Sequence, residues 1–368
     1  MQEHSTGQLA RSANRSAVLE GAHGGQMVIL EKGGRVWALT TSTGKESAFW
    51  TNPADLEQDA WNIGGDRTWV SPELDYFTDS SNHYRVPPKL DPGNWSMTAN
   101  EGEPFVKLEQ TCTLHHRPSD KEVRIHLEKQ FMTIPNPFLT NTSAAYAELV
   151  DIGYIGYEVR QRMTVSPLNP TDEGCRSAAS STAPEYCGLW SIMQVPEGGT
   201  AIIPTWGSAK PLIMFGGDGH IEAEAHASGI CLPYRGSRQY KLSFDALQST
   251  GRFGYIRRLN DLESSLVVRQ FSVHPAALYA DYPPANTDYR GSCEQFFYDG
   301  GQWGGFGELE YHTPAVPIGT SSVTTDLSQL YYFAGETARI IEIAYIILGV
   351  RVSTGTKQTG VLPSMPID

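Results

Sequence analysis

Val123-Arg124-Ile125-His126-Leu127-Glu128-Lys129-Gln130-Phe131 sets apolar and polar residues side by side almost without a break. A strand sends successive side chains to opposite faces, so this stretch reads as a strand with one face in a core and one turned outward. The same period of two runs through Gln26 to Leu30, Val106 to Leu114, Tyr157 to Val165, Tyr240 to Phe244, Leu266 to Val273 and Glu308 to His312. Gly, Pro, Asn and Asp gather between these runs, which is the chemistry of turns. Amphipathic helices are scarce; Asn52 to Ala60, with Pro53 at its first turn, reads as a short one. Strand after strand with turns between them predicts an all-β chain of large packed antiparallel sheets.

No internal repeat and no Gly/Ser linker divides the 368 residues. The expected organisation is therefore one large β-sandwich domain over residues 23–352, after an N-terminal extension (1–22) and before a polar tail (353–368). The long irregular segments are Pro170 to Pro184 and Pro283 to Gly291. Such loops often shape the rim of a site, and are as often passive insertions.

A hydrophobic share of 40%, with 8 Trp, 17 Tyr and 13 Phe, supplies ample core. The net charge of −13, without any block of Lys or Arg, argues against nucleic acid, whose phosphates need concentrated positive charge. A neutral, hydroxyl-rich ligand suits this balance, as does a plain solvated surface. No run of about 18 apolar residues predicts a membrane span; Ile340 to Leu348 comes closest, but it is short and carries Glu342. The start, Met1 to Ala22, lacks the apolar centre of a secretory signal, which a signal already removed would also explain.

Five widely spaced cysteines without a C-x-x-C pair argue against a zinc site and a disulfide framework, leaving Cys175 and Cys187 to pair or stay free. His220, Glu222, Glu224 and His226 would share one face of a strand, a metal-like cluster better read as a solvated edge. Neither a phosphate-cradling Gly loop nor a G-x-S-x-G elbow occurs. No metal and no cofactor is expected.

Four segments in order resemble the galactose mutarotase-like superfamily, and most closely its uncharacterised bacterial branches. Gly33-Gly34-Arg35-Val36-Trp37-Ala38-Leu39, followed by Ala48 to Pro53, looks like the opening hairpin. The run Gly64-Gly65-Asp66-Arg67-Thr68-Trp69-Val70-Ser71-Pro72-Glu73 is similar to a G-G-x-R-x-W-x-x-P-E signature. Trp190 to Pro196 with Gly198-Gly199 is similar to W-x-x-x-Q-x-P-x-G-G, and Glu308 to Pro314 to an E-L-E-x-x-x-P strand. The resemblance spans roughly Gln26 to Ala338. It implies a supersandwich with a mono- or oligosaccharide site on a concave sheet face, and aldose 1-epimerase-like chemistry with a late-strand Glu as base and a mid-chain His as acid. Glycoside hydrolases, polysaccharide lyases and non-catalytic glycan-binding modules on the same scaffold are the alternatives.

Opening a hexose ring needs a base at the anomeric hydroxyl and an acid at the ring oxygen, each worth about 10²–10⁴-fold. Glu308, Glu310 and His312 alternate, so all three side chains share one sheet face while Leu309 and Tyr311 take the other. A close carboxylate pair raises one pKa, which suits an acid; a solvated outer face has the same pattern. Glu310 is the expected base, and His312 or Glu308 the acid. The Asn-His-x-x-Phe-Asn context of the epimerase acid is absent, and Trp190 and its neighbours stand at that position, so His312 is the substitute. Arg67 offers a fork of donors to a ligand or pairs with Asp66 or Glu73. Trp190 offers a face to a pyranose or packs in the core. Gln194 projects to the same side as Trp190. Glu73 completes the expected sugar-binding set.

Overall fold

The protein is described from a computed structural model covering residues 15–44, 46–58, 60–79, 81–100, 102–140, 144–168, 185–216, 221–281 and 291–352, with the backbone of 360–361. Cys175, His220 and nearly all of both long irregular segments lie outside these residues.

Two large antiparallel sheets form the molecule. The first, of 10 strands, runs in the order Ser16–Glu20, Gln26–Leu30, Arg35–Thr40, Asp66–Ser71, Tyr186–Pro196, Phe306–His312, Glu294–Tyr298, Tyr240–Phe244, Leu212–Phe215, with Val316–Pro317 beside Tyr186–Pro196. The second, of 11 strands, has the long strands Ser322–Glu336, Gly153–Pro167, Lys121–Ile134 and Phe105–His116 side by side. Sheet pairing thus begins at Ser16, inside the segment expected to be an extension.

Val123, Ile125, Leu127 and Phe131 face the core, as the alternation predicts. Lys129 stands on that apolar face as well. Its ammonium donates to the Gly34 carbonyl at 2.7 Å and lies 4.9 Å over the Trp95 ring, and burial pulls its pKa down to about 7.

Ile340–Leu348 is part of a helix, Thr337–Leu348, that the sequence reading passed over. Its isoleucines are poor helix formers, but Ile340, Ile343, Ala344 and Leu348 line one face and pack on Leu266, Val268 and Ile202 of the second sheet. Gly349, at φ 73°, takes the left-handed conformation that ends it. No helix among the described residues is long and apolar enough to cross a membrane. Asn52 to Ala60 contains only one turn, Pro53–Leu56.

Candidate functional site

The three central strands of the first sheet carry the expected site residues, and the register shows which of them meet. Arg67 lies opposite Ile192, and Ile192 opposite Glu310; Gln194 is opposite Glu308; Trp69, Trp190 and His312 form a third cross-strand row. Directly opposed residues project to one face, so all of these stand together. The other face, with Asp66, Thr68, Ser191 and Tyr311, packs against the second sheet. There the Thr68 hydroxyl donates to Gln161 Oε1 at 2.6 Å, and the Tyr311 hydroxyl donates to Asp326 at 2.6 Å.

The site face is not solvated. Glu310 and His312 are wholly buried and Glu308 is 8% exposed. Phe77, from the segment that follows strand Asp66–Ser71, packs against both Trp69 and Trp190. What remains open is a cavity of about 600 Å³, floored by Arg67, Glu308, Phe297 and Lys241, with Glu73 and Asp281 at its side. Tyr84, Phe215 and Trp303, all well exposed, belong to its wall.

Glu308 is the expected catalytic residue that reaches this cavity. Its Oε1 accepts from Arg67 Nη2 at 2.8 Å and from Gln194 Nε2 at 3.0 Å, so Oε2 is the oxygen left for a ligand. Arg67 therefore pairs with Glu308, a partner 241 positions away, and not with Asp66 or Glu73. Its guanidinium stacks 4.2 Å over Trp69, and Nε and Nη1 have no protein acceptor.

Glu310 stands beside Glu308 on the same face but outside the cavity lining. Its Oε2 accepts from Trp190 Nε1 at 2.7 Å and from Lys241 Nζ at 3.1 Å. Burial, helped by Glu308 and Glu73 and opposed by Lys241, pushes its pKa up to about 8. Lys241 also donates to Glu73 Oε2 at 3.1 Å. Burial acts against the Lys241 charge, but Glu310 and Glu73 outweigh it and hold its pKa above the ordinary value.

His312 stacks on Trp190 at 5.8 Å between ring centroids, and neither ring nitrogen has a hydrogen-bond partner. Burial, aided by Lys241, drives its pKa well below the ordinary value, so the ring is neutral. Trp190 sits 1% exposed among Trp69, Phe77 and His312, with no part in the cavity lining. The exposed aromatic surface at the cavity comes instead from Tyr84, Phe215 and Trp303.

The sequence reading missed Lys241 and Asp281. Lys241 shares a strand face with Ser243 in Tyr240–Phe244, but that run gives no hint that the face meets Glu310. Asp281 follows no motif. Glu222, Glu224 and His226 alternate on strand Glu222–His226, which pairs with Gly229–Pro233 on one side and Gly360–Val361 on the other; Glu222 is exposed, Glu224 and His226 are half-buried, and His220 is outside the described residues. Cys187 and three other described cysteines are buried free thiols.

No family model and no curated protein matches the chain. Solved structures do. A galactose mutarotase-like protein from Lactobacillus casei aligns with 86% of this chain and all of its own, at 10% identity and a TM-score of 0.47. An aldose epimerase homologue from C. elegans covers 88% of this chain and 99% of its own, at 9% identity and a TM-score of 0.39. Galactose 1-epimerase from Lactobacillus acidophilus covers 87% and 95%, at 9% identity and a TM-score of 0.35. In its two large antiparallel sheets, the chain is similar to galactose mutarotase-like proteins.

Proposed function

We propose that the chain is a carbohydrate-active enzyme that opens and recloses an aldose ring by general acid–base catalysis, in the manner of an aldose 1-epimerase. The observation that carries this reading is Glu308, a carboxylate with one oxygen fixed by Arg67 and Gln194 and the other left to an aromatic-walled cavity. A ligand cavity with a few convergent polar groups on apolar walls suits a sugar, whose rings stack and whose hydroxyls need directed partners.

In this reading Glu308 takes the anomeric proton, in place of the more deeply buried Glu310. Arg67 and Lys241 supply fixed positive charge where the oxygen becomes negative, in a site shielded from water. Glu310 balances Lys241 and sets its position. His312, neutral and outside the cavity lining, is not the acid.

Proton NMR exchange spectroscopy of glucose, galactose and a uronic acid tests this. Wild type should speed anomer exchange, and Glu308→Gln should lose at least about 100-fold of it. If no aldose exchanges faster than buffer, ring opening of these sugars is excluded, and the exposed aromatic wall points to glycan binding instead.

A further inference from the structure

From the geometry around the cavity we infer that Asp281 is the acid of this site, the group that protonates the ring oxygen. This rests on reading the cavity as a sugar-opening site. Ring opening needs a proton donor beside the base. Of the two acids expected from the sequence, His312 does not line the cavity and Glu308 is taken as the base, while Arg67 is held by Glu308 as a permanent cation. Asp281 lines the cavity together with Glu308 and is only 3% exposed.

It is also rigidly held. Oδ1 accepts from the Glu73 backbone N–H at 3.0 Å, and Oδ2 accepts from Gln295 Nε2 at 2.6 Å. Gln295 lies directly opposite Glu310 on one side and Ser243 on the other, so Asp281 is tied into the row they form. In that row Glu310 Oε1, Gln295 Oε1 and Ser243 Oγ have no protein partner, nor has either nitrogen of His312 in the neighbouring row, although all four residues are wholly buried. Buried polar atoms are normally satisfied, so this layer suits ordered water behind Asp281. His312 Nε2 stands 4.0 Å from Asp281 Oδ2. A charged imidazolium there would hold Asp281 as an anion; a neutral ring does not. Burial raises the Asp281 pKa, against the pull of Lys241, the Glu73 N–H and Gln295.

The proton balance closes on these residues. Asp281 gives its proton to the ring oxygen as the C1–O5 bond breaks, and Glu308 takes the proton of the C1 hydroxyl as the carbonyl forms. After rotation about the C1–C2 bond, reclosure on the other face runs both transfers backward. Both residues end as they began.

Two measurements on the whole chain test the role. In ¹³C NMR of the Asp side-chain carboxyls, the resonance that vanishes in Asp281→Asn should titrate above the ordinary range near 4. Titration of that resonance at or below 4 would overturn the inference whatever the enzyme does. In anomer exchange, Asp281→Asn should lose at least about 100-fold in kcat while its sugar Kd stays within about threefold. Gln295→Leu removes a donor that favours the charged carboxylate, so the alkaline limb of its pH profile should move up. If wild type is active and Asp281→Asn keeps its rate, the inference alone falls. If wild type is inert on every sugar, the reading of the cavity falls and the inference with it.

Discussion

Glu294 shows how burial at a single residue becomes a measurable property of the protein. Its carboxyl is wholly buried on the face opposite Gln295 and accepts from the Ser249 hydroxyl, and burial pushes its pKa up to about 8. Between pH ~5 and ~8 the folded chain keeps a proton there that the unfolded chain has released, so this residue's contribution falls as pH rises. Glu294→Gln removes it. Its advantage over wild type in urea denaturation should grow by up to about 1.4 kcal/mol per pH unit across that window. A constant difference from pH 5 to pH 8 would show that Glu294 titrates normally. Taking the difference isolates Glu294 from His312, which acts with the opposite sign. The same residue-scale contrast governs the site: of two glutamates two positions apart, Glu308 meets the cavity and Glu310 is buried beside Lys241.

At the scale of elements, strand Asp66–Ser71 delivers Arg67 to the floor because the chain turns sharply just before it. Gly64 and Gly65 both sit at φ 89°, and a Cβ on Gly65 would meet the Val36 carbonyl oxygen at 2.5 Å. Gly65→Ala must strain the backbone or push the neighbouring strand away. Thermal and urea unfolding should show a loss of about 2 kcal/mol or more; a loss under 0.5 kcal/mol would mean that the strand does not depend on this turn. The alternation in Phe306–His312 did what alternation can do: it assigned Glu308, Glu310 and His312 to one face and Leu309 and Tyr311 to the other, and the register agrees. It could not say whether the first face was wet, because period two is the same for an outer surface and a covered floor.

Across the whole molecule, the sheets are joined by polar contacts as well as by the apolar core. Asp66 of the first sheet accepts from Arg269 Nη2 of the second at 2.5 Å and from the Tyr157 hydroxyl, and Arg269 Nη1 donates to Ser328 Oγ at 3.0 Å. Arg269 is 1% exposed. Arg269→Ala would leave Asp66 buried without its cation, and should cost about 3–5 kcal/mol in urea denaturation. A loss below 1 kcal/mol would show that solvent enters between the sheets. The sequence by itself determined the strand-rich class, seven of the strands with the alternation of faces along them, and the resemblance that drew Glu308 and Arg67 into one site. All of these are local: period-two patterning, turn chemistry and short motifs lie within a few neighbouring residues. Only the tertiary structure decided that Arg67 pairs with Glu308, that Trp190 and His312 are buried outside the cavity, and that Lys241 and Asp281 line it. Those facts depend on which distant strands become neighbours and on which segment folds over them, and burial then fixes the charges.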